Sequence, residues 1–172
     1  MVDFTKKSSD ATAKRVVEVL NVLYSKLDQI TKKHGLEKIK TIGDCYMAAA
    51  GIPIHDPENT SKAVKFALEA MKEIKDFNTG DGTLLNFRCG IDCGPVVAGV
   101  IGEHKFIYDI WGDTVNTAAR MEEYSEPGKI QVTERFKDVV NLSDTEHLMK
   151  FEERGEIEIK GKGLMRTYFL ES

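Results

Sequence analysis

Residues 108–120 read Tyr-Asp-Ile-Trp-Gly-Asp-Thr-Val-Asn-Thr-Ala-Ala-Arg, and they predict the end of a strand, a turn at Gly112 and a helix. Asn116 and Arg120 are four residues apart, so they share one face of that helix. Asp109 lies at the strand end that leads into it. An acid, an amide and a guanidinium would therefore border a helix N-terminus, where phosphate groups are favoured.

A purely structural interpretation also accounts for these residue types. Asp113 or Thr114 is predicted to cap the helix, because their side-chain oxygens can accept hydrogen bonds from its first N–H groups. A single Asn or Arg on a short helix is often only a solvated surface residue. Spacing alone therefore does not separate a functional site from an ordinary helix surface, and other parts of the chain must decide.

The composition is that of a folded domain with a substantial core. The 172 residues are 41% hydrophobic and 30% charged, and we expect one domain. The net charge of −4 argues against a nucleic-acid partner. No apolar run approaches the roughly 20 residues of a membrane helix, so membrane association would need segments outside this chain. Cys45, Cys89 and Cys93 lack C-x-x-C spacing, which predicts reduced core cysteines and a cytoplasmic location.

Apolar periodicity and turn residues predict a mixture of helices and strands. The predicted elements are, in chain order, helix Lys14–His34; a hairpin of strands Glu37–Ile42 and Cys45–Ala50 around a Gly43-Asp44 turn; a helix from Thr60 or Ser61 that buries Ala63, Ala67, Met71 and Ile74; a turn at 78–83; strands Leu84–Ile91, Val96–Ile101 and Phe106–Ile110; the helix after Gly112; strand 130–132; helix Thr133–Val140; a polar connection Asn141–His147; and strands Ile157–Ile159 and Arg166–Leu170. These elements predict an α/β sandwich in which helices cover a mostly antiparallel sheet.

Lys40 and Asp109 together match one purine base. Taken alone, Lys40 is explained as a solvated strand residue, and Asp44 in the adjacent turn is explained by local hydrogen bonding. Lysine only donates hydrogen bonds, and ionised aspartate only accepts them. The Watson–Crick edge of adenine offers an acceptor at its ring nitrogen and a donor at its amine, whereas guanine offers the reverse. The pair would therefore accept adenine and oppose guanine, and a mismatched buried polar group can cost a factor of about 10⁴ in selectivity.

Three segments resemble the signatures of class III nucleotide cyclases at near-family spacing. They are residues 36–47 (Leu-Glu-Lys-Ile-Lys-Thr-Ile-Gly-Asp-Cys-Tyr-Met), residues 108–121, and residues 160–168 (Lys-Gly-Lys-Gly-Leu-Met-Arg-Thr-Tyr). The resemblance implies a single cyclase catalytic domain over residues 1–172, of α/β (α+β) class, with a ferredoxin-like βαββαβ core. It also implies ATP as the substrate and a head-to-tail homodimer whose active sites lie between subunits.

The resemblance assigns residues that bind the base and the metal ions. Lys40 and Asp109 match the adenine-selecting pair, where guanylyl cyclases tend to have Glu and Cys. Ile110 matches a position whose backbone carbonyl helps to hold the base amine. Asp44 matches one of two metal-binding aspartates, and its oxygens would hold Mg²⁺ or Mn²⁺, hard cations that prefer such ligands.

The resemblance also assigns residues to the ribose and the phosphates. Asn116 matches the residue that orients the ribose, and Arg120 matches the one that stabilises charge on the α-phosphate in the transition state. Lys162 matches the triphosphate-binding lysine, although Lys160 is close enough in sequence to be confused with it. The implied reaction is attack of the ribose 3′-hydroxyl on the α-phosphorus with two metal ions, which gives cyclic AMP and pyrophosphate.

One departure concerns the family's other metal-binding aspartate. It lies on the first strand, shortly before a Phe-Thr pair that matches Phe4 and Thr5, so its position would fall before Met1 and we expect a truncated first strand. Asp3 does not replace it, because a shift of three residues along a strand inverts the side-chain face. Two alternatives therefore stand beside an adenylyl cyclase: a non-catalytic cyclase-like module, and a guanylyl cyclase, which the predicted base-binding pair disfavours.

Overall fold

The computed structural model describes residues 13–75, 77, 87–143 and 149–171. The helices are α1 (Ala13–Lys33), α2 (Asn59–Lys75), α3 (Asp113–Tyr124) and α4 (Glu134–Ser143). The strands are β1 (Glu37–Ile42), β2 (Cys45–Ala49), β3 (Cys89–Ile91), β4 (Val97–Ile101), β5 (Ile107–Trp111), β6 (Ile130–Thr133), β7 (Lys150–Ile159) and β8 (Gly163–Glu171). The predicted turn at 78–83, the start of strand Leu84–Ile91, residues 144–147 of the polar connection and the expected first-strand truncation lie outside the described residues.

The described strands form one larger sheet and two hairpins. The sheet has the order β3-β6-β8-β7, in which β3 is parallel to β6 and the other pairs are antiparallel. The β1–β2 and β4–β5 pairs are antiparallel hairpins. The strands are thus mostly antiparallel, as predicted, and the combination with four helices in the described ranges confirms the α+β class.

Two apolar cores hold these elements together. The first joins α2 and α4 to β6 and β8 through Val64, Ala67, Ile130, Val132, Phe136, Val140, Tyr168 and Leu170. The second joins α1 to α2, mainly through Leu23, Leu27, Ile30, Ala70 and Ile74. Full burial of an aliphatic side chain stabilises the fold by roughly 1.5–3 kcal/mol, so these cores supply most of what fixes the helices on the sheet.

Gly90 brings β3 directly against α3. A Cβ atom at this residue would lie 2.0 Å from the backbone nitrogen of Glu122 and 2.5 Å from the carbonyl oxygen of Ala118. Only a residue without a side chain permits that approach. The contact fixes α3, the helix that carries Asn116 and Arg120, against the end of the sheet.

The closing strands are longer than predicted. β7 covers Lys150–Ile159 and β8 covers Gly163–Glu171, whereas only Ile157–Ile159 and Arg166–Leu170 were expected. Half of β7 consists of charged residues whose side chains face solvent, and its register shifts between Glu153 and Gly155. The apolar alternation that marks a strand is therefore interrupted, although the backbone pairing with β8 continues.

One prediction about burial was confirmed and one was wrong. α2 begins at Asn59 and buries Thr60, Val64, Ala67, Ala70 and Ile74. The predicted Ala63 and Met71 are partly buried and pack against the core on the same face. Cys45 is exposed at the start of β2 instead of belonging to the core, because it follows the hairpin tip directly. Cys89 and Cys93 are half-buried, and all three thiols are free.

Candidate active site

Lys40 and Asp109 meet in space although they are far apart in the sequence. Lys40 is on β1 and Asp109 is on β5, and the Lys40 Nζ donates to the Asp109 Oδ2 at 2.5 Å. The Asp109 Oδ1 accepts a second hydrogen bond, from the backbone N–H of Ile110, at 2.9 Å. The bond from Lys40, and then the bond from Ile110, lower the pKa of Asp109, so this carboxylate is ionised at neutral pH. The structure therefore brings the predicted base-binding residues together, with Ile110 beside them.

The β4–β5 hairpin surrounds Asp109 with apolar side chains. Asp109 pairs with Gly99, Trp111 with Val97 and Ile107 with Ile101, so these residues share one face of the hairpin. Val97 is 69% exposed, Ile101 61%, Ile107 51% and Trp111 38%. The carboxylate thus lies in the middle of an apolar face that the described residues leave largely uncovered.

The start of α3 differs from the predicted cap. Gly112 is the N-cap residue, with φ 147° and no side-chain capping hydrogen bond, so the assignment of Asp113 or Thr114 as the cap was wrong. The Thr114 hydroxyl instead donates to the Pro95 carbonyl at 3.0 Å and ties the helix to the segment before β4. A Cβ at Gly112 would lie 3.2 Å from that same carbonyl oxygen, so glycine allows the tight turn.

Asn116 and Arg120 lie on the accessible side of α3. The helix buries Thr114, Thr117 and Met121, while Asn116 is exposed. The Arg120 side chain is 34% exposed and forms an ion pair with Glu123, one turn further along. Both predicted residues can therefore be reached by a ligand, and the guanidinium has an exchangeable surface partner.

Lys162, and not Lys160, reaches the beginning of α3. Its ammonium group pairs with the carboxylate of Asp113, in the first turn of that helix. The Lys162 side chain is only 18% exposed, which restricts where the ammonium can point. The backbone N–H of Lys160 instead donates to the Tyr124 hydroxyl at 3.2 Å, near the other end of α3. Geometry thus favours Lys162 as the phosphate-binding lysine of the two.

Asp44 is held at the tip of the β1–β2 hairpin. The turn requires Gly43 at φ 59°, and the Tyr24 hydroxyl from α1 donates to the Gly43 carbonyl at 2.8 Å. Burial, and then the nearby Asp44 charge, raise the pKa of Tyr24 to about 12, which keeps the phenol protonated as a donor. This support was not predicted. Its sequence signal is the spacing of Tyr24 and Asp28, which places them on one face of α1, where Asp28 also accepts a hydrogen bond from Tyr46 of β2 at 2.7 Å.

The carboxylates fit only part of a two-metal site. Asp44 offers the hard oxygen atoms that Mg²⁺ and Mn²⁺ prefer. Within the described ranges, however, no group of three or more His, Cys, Asp or Glu side chains converges. A complete site would need a further carboxylate beside Asp44.

The described ranges contain no helix long and apolar enough to cross a membrane.

Comparison with known proteins identifies the relatives of this chain. Residues 1–172 match the sequence profile described as adenylate and guanylate cyclase catalytic domain. An adenylate cyclase of Mycobacterium bovis is 41% identical over 174 residues, which cover 99% of this chain and 37% of that protein. The human guanylate cyclase soluble subunit beta-2 is 39% identical over 172 residues, which cover 99% of this chain and 27% of that protein.

A solved structure supports the same relationship. The catalytic core of a rhodopsin-guanylyl cyclase with converted specificity, in complex with ATPαS, superposes with a TM-score of 0.89 at 37% identity. The match covers 99% of this chain and 90% of that one. This chain therefore shares the fold of that core, while it spans well under half of the two relatives named above.

Proposed function

This chain belongs to the adenylate and guanylate cyclase catalytic domain family, and we propose that within it residues 1–172 act as an adenylyl cyclase domain that converts ATP into 3′,5′-cyclic AMP and pyrophosphate. The observation that carries the proposal is the Lys40–Asp109 pair, with 2.5 Å between the Nζ and the Oδ2. The family includes both adenylate and guanylate cyclases, so the groups that face the base must decide between them.

The pair favours adenine by its hydrogen-bonding capacity. Lys40 would donate to the adenine ring nitrogen, and the ionised Asp109 would accept from the amine. The backbone carbonyl of Ile110 would be a second acceptor for that amine. Guanine would present an acceptor to Asp109 and a donor to Lys40, which leaves both groups unpaired in a partly buried site. The rhodopsin-guanylyl cyclase core with converted specificity, solved with ATPαS, supports adenine binding on this scaffold.

The remaining residues would orient and stabilise the reacting groups. Asn116 would hold the ribose so that its 3′-hydroxyl faces the α-phosphorus. Arg120 would leave Glu123 and donate to the α-phosphate oxygens, where negative charge grows in the transition state; one such donor typically contributes several kcal/mol. Lys162 would hold the terminal phosphates, which depart as pyrophosphate.

Asp44 would be the metal ligand that the described residues supply. Bound Mg²⁺ or Mn²⁺ would lower the pKa of the 3′-hydroxyl and neutralise the departing pyrophosphate. Asp44 would bind the metal best with its carboxylate in a fixed position. The hydrogen bond from Tyr24 to Gly43 restrains the turn that carries Asp44. The three free thiols suit a reducing compartment such as the cytoplasm.

We expect the active unit to be a head-to-tail homodimer. Val97, Ile101 and Ile107 are each more than half exposed on the face that contains Asp109, although such side chains are normally buried. A second copy covering this face would exclude water from the base-binding pair and strengthen its hydrogen bonds. The homodimer therefore explains why the apolar face and Asp109 occur together.

Exchange of the base-reading residues tests the proposed specificity. With Mn²⁺ present, the protein is expected to form cyclic AMP from ATP and little cyclic GMP from GTP. The double variant Lys40→Glu with Asp109→Cys should move the preference toward GTP by about 100-fold or more, because both hydrogen bonds change direction. Lys38→Glu is the matched control, since Lys38 lies on the same strand and pairs with Asp28 at 2.8 Å.

Each alternative has its own result. A wild-type preference for GTP would favour a guanylyl cyclase. The similarity to the human guanylate cyclase subunit makes this the alternative within the family. Nucleotide binding without either cyclic product, also after an upstream Phe-Ala-Asp segment is supplied, would favour a non-catalytic module. An ATP preference that the double variant leaves unchanged would contradict base reading by Lys40 and Asp109.

A further inference from the structure

An open cleft of about 400 Å³ lies beside the first turn of α3. Lys162, Asp113 and Arg135 line it. The resemblance to cyclases assigns Lys162 to the triphosphate but gives Arg135 no role. Arg135 begins α4 together with Glu134, directly after β6, so the cleft is formed by three separate parts of the chain.

Arg135 is fixed from behind by a buried acid. The Asp92 side chain has no exposed surface, and its Oδ1 accepts from the Arg135 Nε at 2.7 Å and from the Thr133 hydroxyl at 2.7 Å. A second bond joins the Arg135 Nη2 to the Asp92 Oδ2. The guanidinium is thus held by one edge in a bidentate pair, while the side chain remains 45% exposed. Such anchoring reduces the entropy lost when the other edge binds an anion.

Gly94 allows the guanidinium to pack against the backbone. A Cβ at this residue would lie 3.2 Å from the Arg135 Nη1 and 2.7 Å from the Thr114 hydroxyl oxygen. The Arg135 Nη1 therefore lies on the side of the start of α3, where Thr114 is bonded to the Pro95 carbonyl. This orientation presents a cation to the same helix end that Lys162 approaches.

Asp113 is the carboxylate that both cations influence. Its pKa is lowered mainly by the hydrogen bond from Lys162, and the charges of Lys162 and Arg135 lower it further. The Asp113 side chain is 76% exposed, whereas that of Lys162 is 18% exposed. The acid can therefore turn into solvent while the lysine stays in place. A phosphate group entering the cleft would find two cations and one displaceable anion.

We propose that Arg135 is a second cation for the terminal phosphates of the nucleotide, and that Asp113 occupies their place on Lys162 until the nucleotide binds. The inference rests on the proposed cyclase function for the identity of the ligand. Arg135 would donate from its free edge, and Lys162 would exchange the Asp113 carboxylate for a phosphate oxygen. Asp113 thereby lowers the affinity for free polyphosphate, including the pyrophosphate product.

Another arginine at the cleft provides the matched control. Arg166 also lines it, but its guanidinium lies among Glu134, Glu153 and Glu156 at 3.9, 3.5 and 3.8 Å. These three acids neutralise it and repel an arriving anion. Replacing Arg166 by Gln should therefore change phosphate binding far less than the same replacement at Arg135.

Calorimetric titration of the full chain with inorganic tripolyphosphate and Mn²⁺ tests the proposal. Arg135→Gln is expected to weaken binding by about tenfold, the loss of one charge-assisted hydrogen bond. Asp113→Asn should tighten it by about threefold, as for removal of an exposed ion-pair partner. A purely structural Asp92–Arg135 bridge would not produce this opposite pair of signs.

A second variant protects the test against misfolding. Arg135→Gln leaves the buried Asp92 carboxylate without its cation, which can destabilise the fold. The double variant Asp92→Asn with Arg135→Gln removes both charges and should show the same tenfold loss. Wild-type affinity in this double variant, or an Asp113→Asn affinity no tighter than wild type, would overturn the proposal.

Failure of the proposed function would look different. If no cyclic nucleotide forms, also after the upstream Phe-Ala-Asp segment is supplied, but Arg135→Gln still weakens tripolyphosphate binding, the cyclase assignment fails and the phosphate site stands. If cyclic AMP forms and Arg135→Gln behaves like Arg166→Gln in the titration, the cyclase assignment stands and Arg135 has no role in phosphate binding.

Discussion

β6 and β4 are both short strands rich in apolar residues, yet they have opposite environments. Every residue of β6 is buried, with Ile130 at 3% and Val132 at 0% exposure. Val97 and Ile101 of β4 are 69% and 61% exposed. β6 lies inside a four-stranded sheet under α2 and α4, whereas β4 pairs only with β5 among the described strands.

The difference separates what holds the chain together from what it offers to a partner. The sheet core buries its apolar residues within one chain and therefore determines the stability of the monomer. The β4–β5 hairpin contains similar residues, but folding of the monomer buries little of their apolar surface and so stabilises the hairpin little. Asp109 lies on that face and pairs with Lys40 of the other hairpin. Stability and the proposed chemistry thus depend on different strands, and substitutions can separate the two.

The largest expected effect on stability follows from adding one methyl group on the sheet side. Gly90→Ala would place its Cβ 2.0 Å from the Glu122 nitrogen, and neither backbone can move without separating β3 from α3. We expect a loss of about 3 kcal/mol or more in the free energy of unfolding, measured by urea denaturation.

The same substitution in the hairpin is the control. A Cβ at Gly99 would meet the Trp111 ring at 3.5 Å, an ordinary contact. Gly99→Ala should therefore change the free energy of unfolding by less than about 1 kcal/mol. Equal losses for the two variants would contradict the division between a tightly packed sheet side and a loosely covered hairpin.

A charge on the apolar face of the hairpin should affect association more than folding. Ile101→Glu introduces a carboxylate at a side chain that is already 61% exposed in the monomer. We expect dimerisation, measured by analytical ultracentrifugation, to weaken by at least about tenfold, because a proposed partner would have to desolvate that charge. Cyclic AMP formation should fall in parallel. The circular dichroism spectrum should remain that of the wild type.

Val17→Glu is the control for that variant, since Val17 is similarly exposed, at 65%, but belongs to α1 and not to the hairpin.

Mixing an Asp44→Ala chain with an Arg120→Ala chain adds an independent test of shared sites. Random pairing would restore at most about a quarter of wild-type activity, because half of the dimers are mixed and each has one intact site. Equal effects of Glu at 101 and 17 would exclude this face as the dimer interface, and no restoration on mixing would exclude active sites shared between subunits.

The sequence predicted the elements with clear periodicity and the pair with clear chemistry. The α1 stripe, the β1–β2 hairpin and the strand–turn–helix at Gly112 follow from local patterns, and the structure has all three. Lys40 and Asp109 are 69 residues apart, and their meeting was predicted because both match the cyclase signatures and because a donor beside an acceptor suits adenine. A resemblance that assigns two residues to one ligand can thus predict a contact across a long separation.

Other features could not be predicted because their causes are tertiary. The exposure of Val97 depends on whether another element packs over β4. The local sequence of an apolar strand does not show whether such an element is present. The Asp92–Arg135 pair joins residues 43 apart that belong to no recognised pattern. The start of α3 at Gly112, without a side-chain cap, depends on the Pro95 carbonyl close by. Each of these outcomes is decided by neighbours that are remote in the chain.

The smallest expected effect concerns the ion pair between the two hairpins. Lys40 lowers the pKa of Asp109, so this carboxylate contributes stability that is fully present above the ordinary aspartate pKa of about 3.9 and is lost as the pH falls through its lowered folded-state value. The difference in melting temperature between wild type and Lys40→Met should therefore stay constant from pH 8 to about 5 and shrink below about pH 4.

The difference itself should be small, because the Lys40 side chain is 35% exposed and solvent screens the pair. In an Asp109→Asn background, Lys40→Met should show no such shrinkage, since the titrating group has been removed. A difference that persists unchanged to pH 3 in the wild-type background would mean that Lys40 stabilises the protein by packing alone. In that case protonation of Asp109 would not weaken the contact between the two hairpins. The sheet core contains neither Lys40 nor Asp109, so acid would then affect the hairpins no more than the core.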